Sequence, residues 1–280
     1  MEKYFENNKI KKIFDDYREV VFSTNIDLYF WKSFTDKAIE DYISIHGNSK
    51  LLYQAIFSVN DLNSSNNNKL PDFYQKEISI STSNLKERRQ HLYSWMINLS
   101  LLKIYNAVEI FLLRSISLKY FSYLDDPLSS KNACIKLDKN ISLEFKNNNL
   151  KKDGKNNRYL IDFIKFKSAD FSEFAKQPIR SDLNTNWYNF FELISILRNI
   201  IVHNGMLITE DIENEIKSKA KDIFERHFNI DVSNSMPLLI PIENKIRDFM
   251  YLYNDFSLNT IKFLFEQKDL SFLGMKTLRY

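Results

Sequence analysis

Apolar residues recur at helical spacing along most of this chain. Near the N-terminus Ile10, Ile13, Phe14, Tyr17, Val20 and Val21 step by three and four, one stripe of an amphipathic helix. Asn25-Ile26-Asp27 offers cap chemistry ahead of a second helix over 28–45, and Gly47 supplies the stop that glycine favours after a last helical turn. A shorter helix is predicted over 51–59. The run 60–68, dominated by Asn and Ser, reads as an exposed loop and a soft boundary.

From Ser83, residues 85–123 contain neither Gly nor Pro and keep the helical rhythm through Trp95, Leu99, Leu102, Ala107, Ile110 and Leu113. Asp125-Asp126-Pro127 ends that run. A Lys- and Asn-rich stretch at about 128–158 then reads as a mobile insertion. Helical patterns resume over 159–166 and 171–175. They continue in the strongly apolar run 187–197 that stops at His203-Asn204-Gly205, in the charged stretch 209–227 and, after Pro241, in 242–265. The expected fold is all-α, a helical bundle over 83–280 preceded by an N-terminal helical region over 1–82.

Composition agrees. Four glycines and five prolines are too few for a turn-rich β architecture. Twenty-three Phe and fifteen Tyr imply a core filled by large rings. The single cysteine, Cys134, forms no internal disulfide and no Cys-based zinc site, which suits a reducing compartment. The first six residues mix acids and bases without the apolar stretch of a secretion signal, so a cytoplasmic location is expected. The apolar stretch 101–123 is interrupted by Lys103, Asn106, Glu109, Arg114 and Lys119, so no membrane span is expected. A net charge of +3 permits a nucleic-acid partner without pointing to one.

Phosphate-binding glycine loops, nucleophile elbows and His-Glu-x-x-His motifs are missing, and His46, His91 and His227 lack ligand-spaced companions and read as surface residues. The stretch that carries chemistry is Leu197-Arg198-Asn199-Ile200-Ile201-Val202-His203-Asn204-Gly205. At about 100° per residue, Asn199 and His203 lie within ~40° of each other on adjoining turns, with Ser195 and Glu192 further back on the Asn199 side. Arg198 sits ~140° from His203 and reaches that face through its length. Apolar neighbours imply a helix buried on most of its circumference, where an arginine needs a carboxylate or an anion. Glu109, the other charge inside a core-like helix, is the candidate partner. Alternatively, Arg198 and Glu109 pair structurally while His203 caps a helix end.

Arg-Asn-x-x-x-His-Asn-Gly closing an apolar helix, after an earlier helix with Glu ahead of Phe-Leu-Leu-Arg, resembles the HEPN superfamily over roughly 85–265. The resemblance implies a helical bundle, often dimeric, and a metal-independent endoribonuclease of toxin or antiviral-defence type needing no cofactor. Its Arg and His would form a composite site across a homodimer. By position, Arg198 and His203 match the catalytic pair, Asn199 the polar residue after the arginine, and Glu109 the acid of the earlier helix. An antitoxin or regulatory partner belongs to the same expectation.

The residue types suit RNA as substrate on their own terms: a neutral imidazole takes a proton from a ribose 2′-hydroxyl, and a guanidinium holds the charged pentacoordinate phosphate. Lys151, Lys152, Lys155 and Arg158 are the candidate phosphate grips. A non-catalytic module that uses the same polar cluster to dimerise or to bind a nucleotide or partner protein is the competing expectation.

Overall fold

A computed structural model describes residues 2–47, 50–61, 72–150, 152, 158–232 and 237–274. Of the described residues 70% are helical. In order it forms α1 (Glu2–His46), β1 (Leu51–Asp61), β2 (Asp72–Ser81), α2 (Leu85–Tyr120), α3 (Lys131–Asn147), α4 (Tyr159–Lys167) and α5 (Ala169–Lys176). There follow α6 (Trp187–His203), α7 (Glu210–His227), β3 (Phe228–Asp231), β4 (Leu238–Pro241) and α8 (Ile246–Leu264). Among the described residues the strands pair as two antiparallel hairpins, β1 with β2 and β3 with β4. The fold is therefore predominantly helical with two small sheets.

The chain divides into two compact units, one comprising residues up to 26 and from 97 onward, the other Asp27–Met96. In the first unit α6 is the central element. Phe190, Phe191, Leu193, Ile194, Leu197 and Ile200 are all buried on it. Rings supply much of the packing. Phe190 meets Phe249 and Tyr253 of α8 at centroid distances of 5.7 and 5.6 Å, and Phe191 meets Phe256 at 5.8 Å and Tyr105 of α2 at 6.3 Å. Each such ring removes some 150–250 Å² from water, so a few dominate the burial energy.

The second unit is built differently. Its part of α1, the β1–β2 hairpin and the first turns of α2 leave Phe30, Trp31, Phe34, Ile56, Phe57 and Tyr74 each at least half exposed. Arg89 pairs with Asp36 through both carboxylate oxygens, Nη2 lying 2.9 Å from Oδ2, and this bond holds the Asp36 carboxyl below its ordinary range.

Several expectations are corrected. The predicted break at 25–27 is absent, since α1 runs on through His46. Ser23 and Thr24, which favour a cap when their hydroxyls turn outward, donate them instead to the Val20 carbonyl, at 3.1 and 2.6 Å. The predicted helix over 51–59 is a strand paired with Asp72–Ser81, so the N-terminal region is not wholly helical. A short apolar run does not distinguish the two, and its partner lies about twenty residues away. The expected border at 82/83 falls inside the Asp27–Met96 unit.

The described part of the insertion carries an ordered helix, α3. Ser130 caps it by accepting from the Ala133 amide at 3.1 Å, and Ala133, Leu137, Ile141 and Phe145 are buried at steps of four. Its Lys and Asn residues masked that stripe. His227 is buried rather than superficial.

Candidate functional site

Helix α6 begins with Asn186, whose side chain accepts from the Asn189 amide at 2.8 Å, and ends at His203. Past the helix, the amides of Asn204 and Met206 both return to the Ile200 carbonyl, at 3.2 and 3.1 Å. Gly205 and Met206 adopt positive φ values of 59° and 70°. Glycine takes that conformation freely and methionine does not, so Met206 stores strain three residues after His203. The Met206 carbonyl accepts from Leu239 of β4 at 2.8 Å, which ties the end of α6 to the second hairpin.

Polar groups on α6 fall into two sets. In the first, Glu192 is 7% exposed and is paired with Arg158 and, at 3.1 Å, with Lys219 of α7. Two cations on one buried carboxylate satisfy the requirement that an interior charge be compensated. Glu192 is thus neither solvated nor part of the outer cluster, and lies about 9 Å along the helix axis from Arg198.

The second set contains the predicted pair. Arg198 and Asn199 are half-buried and His203 is exposed. Arg198 Nη1 donates to Asn199 Oδ1 at 3.0 Å and lies 3.0 Å from His203 Nε2. A guanidinium nitrogen can only donate, so in this contact Nε2 accepts and a neutral His203 carries its proton on Nδ1. The partners that Arg198 touches here are neutral groups, which leaves its positive charge to act on whatever approaches the end of the helix.

Behind the pair, Ser195 Oγ lies 3.2 Å from the Tyr105 hydroxyl and donates to the Phe191 carbonyl at 2.9 Å. Tyr105 of α2 is hydrogen-bonded to Glu109, one turn on. Burial and the Glu109 charge push its hydroxyl well above the ordinary tyrosine value, while Arg198 pulls the other way. Arg198 thus contacts Asn199 and His203 in place of the Glu109 carboxylate that the sequence offered as its partner, and α2 meets α6 here through Tyr105 and Ser195. Tyr105 escaped the sequence reading. Its signal was the i, i+4 spacing to Glu109, which puts both on one face of α2.

Of the candidate phosphate grips, Lys151 and Lys155 lie outside the described residues. Lys152 is engaged by Asp138 at 2.7 Å and Ser142 at 3.0 Å, over the Tyr159 ring at 4.2 Å, and Arg158 is bound to Glu192. Neither described cation is brought to the Arg198–His203 pair by these contacts.

Among the described residues no group of three or more His, Cys, Asp or Glu is placed to hold a metal ion. Helix α2 is long and apolar enough by composition to cross a membrane, and half of its most apolar window is buried inside the protein. Comparison with protein-family models, with curated proteins and with solved structures finds no match to this chain.

Proposed function

We propose that this chain is a metal-independent endoribonuclease of HEPN type acting as a homodimer, with Arg198 and His203 as the reacting pair. The observation that carries the reading is the 3.0 Å approach of the guanidinium to an imidazole nitrogen at the exposed end of an otherwise buried helix. A neutral imidazole with Nε2 as acceptor is the form a general base requires. In the reaction, Arg198 turns from Nε2 to the phosphate, the freed Nε2 lone pair takes the proton of a ribose 2′-hydroxyl, and the 2′-oxygen bonds to phosphorus. The bond from phosphorus to the 5′-oxygen breaks, and that oxygen leaves with a proton from water or a second imidazole. The products are a 2′,3′-cyclic phosphate and a 5′-hydroxyl. Arg198 compensates the charge that accumulates on the phosphoryl oxygens. Asn199 holds the guanidinium in place, and Glu109 acts through Tyr105 on the same region.

A toxin or antiviral-defence role in the cytoplasm, with an antitoxin or regulatory partner, extends this proposal through the HEPN resemblance. The competing reading, a non-catalytic module that dimerises or binds a nucleotide or protein, draws support from Lys152 and Arg158 being occupied by carboxylates. The two separate on incubation of purified protein with total RNA in chelator, followed by end-group analysis. Cleavage to cyclic-phosphate ends, reduced about 10²–10⁴-fold in His203→Ala, is expected. Intact RNA, or cleavage unaffected by that substitution, would overturn the nuclease reading.

A further inference from the structure

In the Asp27–Met96 unit, α1, β1 and the first turns of α2 border a groove of about 640 Å³. Its lining is apolar, led by Trp31, Phe34, Tyr42, Leu92 and Trp95. These five side chains and the adjacent Phe30 are between 38% and 59% exposed. At roughly 200 Å² for a large side chain, their open surface amounts to roughly 600 Å², the upper end of what a monomer ordinarily leaves as one patch. Phe30, Trp31 and Phe34 form a ring cluster with centroids 5.5–6.3 Å apart, so the patch has a firm ridge beside its groove.

The hairpin in the same unit adds to this. Its β1 residues Ile56 and Phe57 point to opposite faces and are 63% and 61% exposed, so neither face of the sheet is covered at that point. A two-stranded hairpin is marginal in water without a packed face. With one face of the hairpin included at that point, the open apolar surface comes to roughly 700 Å², close to the ~800 Å² per partner that a standard stable interface buries.

Residues 27–96 contain eight Lys and Arg against eight Asp and Glu, so the chain's net +3 arises entirely outside them. An anionic lipid or nucleic-acid surface would find no excess charge to attract it. A second copy of the same neutral surface meets no net repulsion.

We propose that this groove is a self-association surface, covered by a second copy of this chain about a two-fold axis. Each copy seats its Phe30–Trp31–Phe34 ridge against the other, as an isologous interface requires. The inference rests on exposure, area and charge in this unit, and stands whether or not the chain cleaves RNA.

Light scattering on the full chain from about 1 to 50 µM reads the outcome directly. The expected mass is twice the 33.4 kDa of one chain where the groove is the contact alone, and four times it where the dimer proposed at the α6 end forms as well. Tryptophan emission should shift to the red on dilution as Trp31 and Trp95 return to water, while Trp187, 6% exposed, stays buried. Phe34→Glu and, separately, Trp95→Glu should weaken pairing by about 30-fold or more, the loss typical of a central aromatic anchor. Circular dichroism shows whether each variant keeps its helices. A single-chain mass over the whole range would overturn the proposal, as would a folded variant that keeps the parent's mass. A monomer that floats with phosphatidylcholine vesicles would assign the groove to lipid instead.

Discussion

Helix α6 carries two clusters of charged residues that obey different rules. Glu192, in its buried stretch, is held by Arg158 and Lys219 from neighbouring elements. Arg198, at its exposed end, touches the neutral Asn199 amide and His203 ring. A charge inside must bring its counter-charge with it, whereas one at the surface can be left for a ligand because water pays part of its solvation. The first cluster therefore belongs to stability and the second is available for chemistry, although both looked alike as polar interruptions of an apolar run.

The contrast is broken most forcefully at its chemical end. His203→Ala should remove nearly all cleavage while leaving the urea midpoint within a few tenths of a molar of the parent, since an exposed side chain adds little to folding. A large stability loss in that variant would make His203 a structural residue and collapse the distinction. At the structural end, Glu192→Ala leaves two cations facing a vacated, poorly solvated site and should cost about 3 kcal/mol in urea unfolding. If the destabilisation is under about 0.5 kcal/mol, the Glu192 cluster is a surface network after all.

A second histidine sharpens the comparison through pH. His227 is buried against Phe249, and Nδ1 donates to the Ile223 carbonyl at 2.7 Å. Burial, reinforced by the Arg226 charge, holds its pKa below the ordinary 6.5. As pH falls below about 6.5 the unfolded chain takes up this proton before the folded one does, so stability is intact above that pH and declines beneath it. Urea midpoints measured between pH 7.5 and 5 should fall, and fall less steeply in His227→Gln. Identical slopes would remove His227 from the account of acid sensitivity. The smallest effect belongs to Gly205, which ends α6 at φ 59° with open space around any added Cβ. Gly205→Ala then costs only the left-handed backbone, about 1 kcal/mol by thermal melting, and should lower cleavage less than His203→Ala does.

Much of the helical plan was legible because amphipathic stripes are local. The runs that became α6, α7 and α8 announced themselves by apolar spacing, by Thr209 ahead of α7 and by Gly205 after α6, whereas the cap of α6 is Asn186 and not Asp182 or Asn184, which the sequence offered. The two hairpins were not legible. Residues 51–59 read equally well as helix until strand 72–81 lies beside them, and β3 and β4 are four residues each. Of the site, the Arg-Asn-x-x-x-His spacing predicted proximity, and Arg198 does reach His203. What escaped was Tyr105, whose role depends on a residue ninety positions away, Ser195.

By itself the sequence determined the apolar runs that became α6, α7 and α8, that rings fill the core, and which residue types stand at the end of α6. Those properties depend on neighbours three or four positions apart. Only the tertiary structure decided which charges are matched within the protein, that Glu192 and His227 are buried while His203 is open, and that one aromatic surface in residues 27–96 is left uncovered. Burial and ion pairing are set by segments distant in the chain that meet only after folding, and a one-dimensional pattern does not record those meetings.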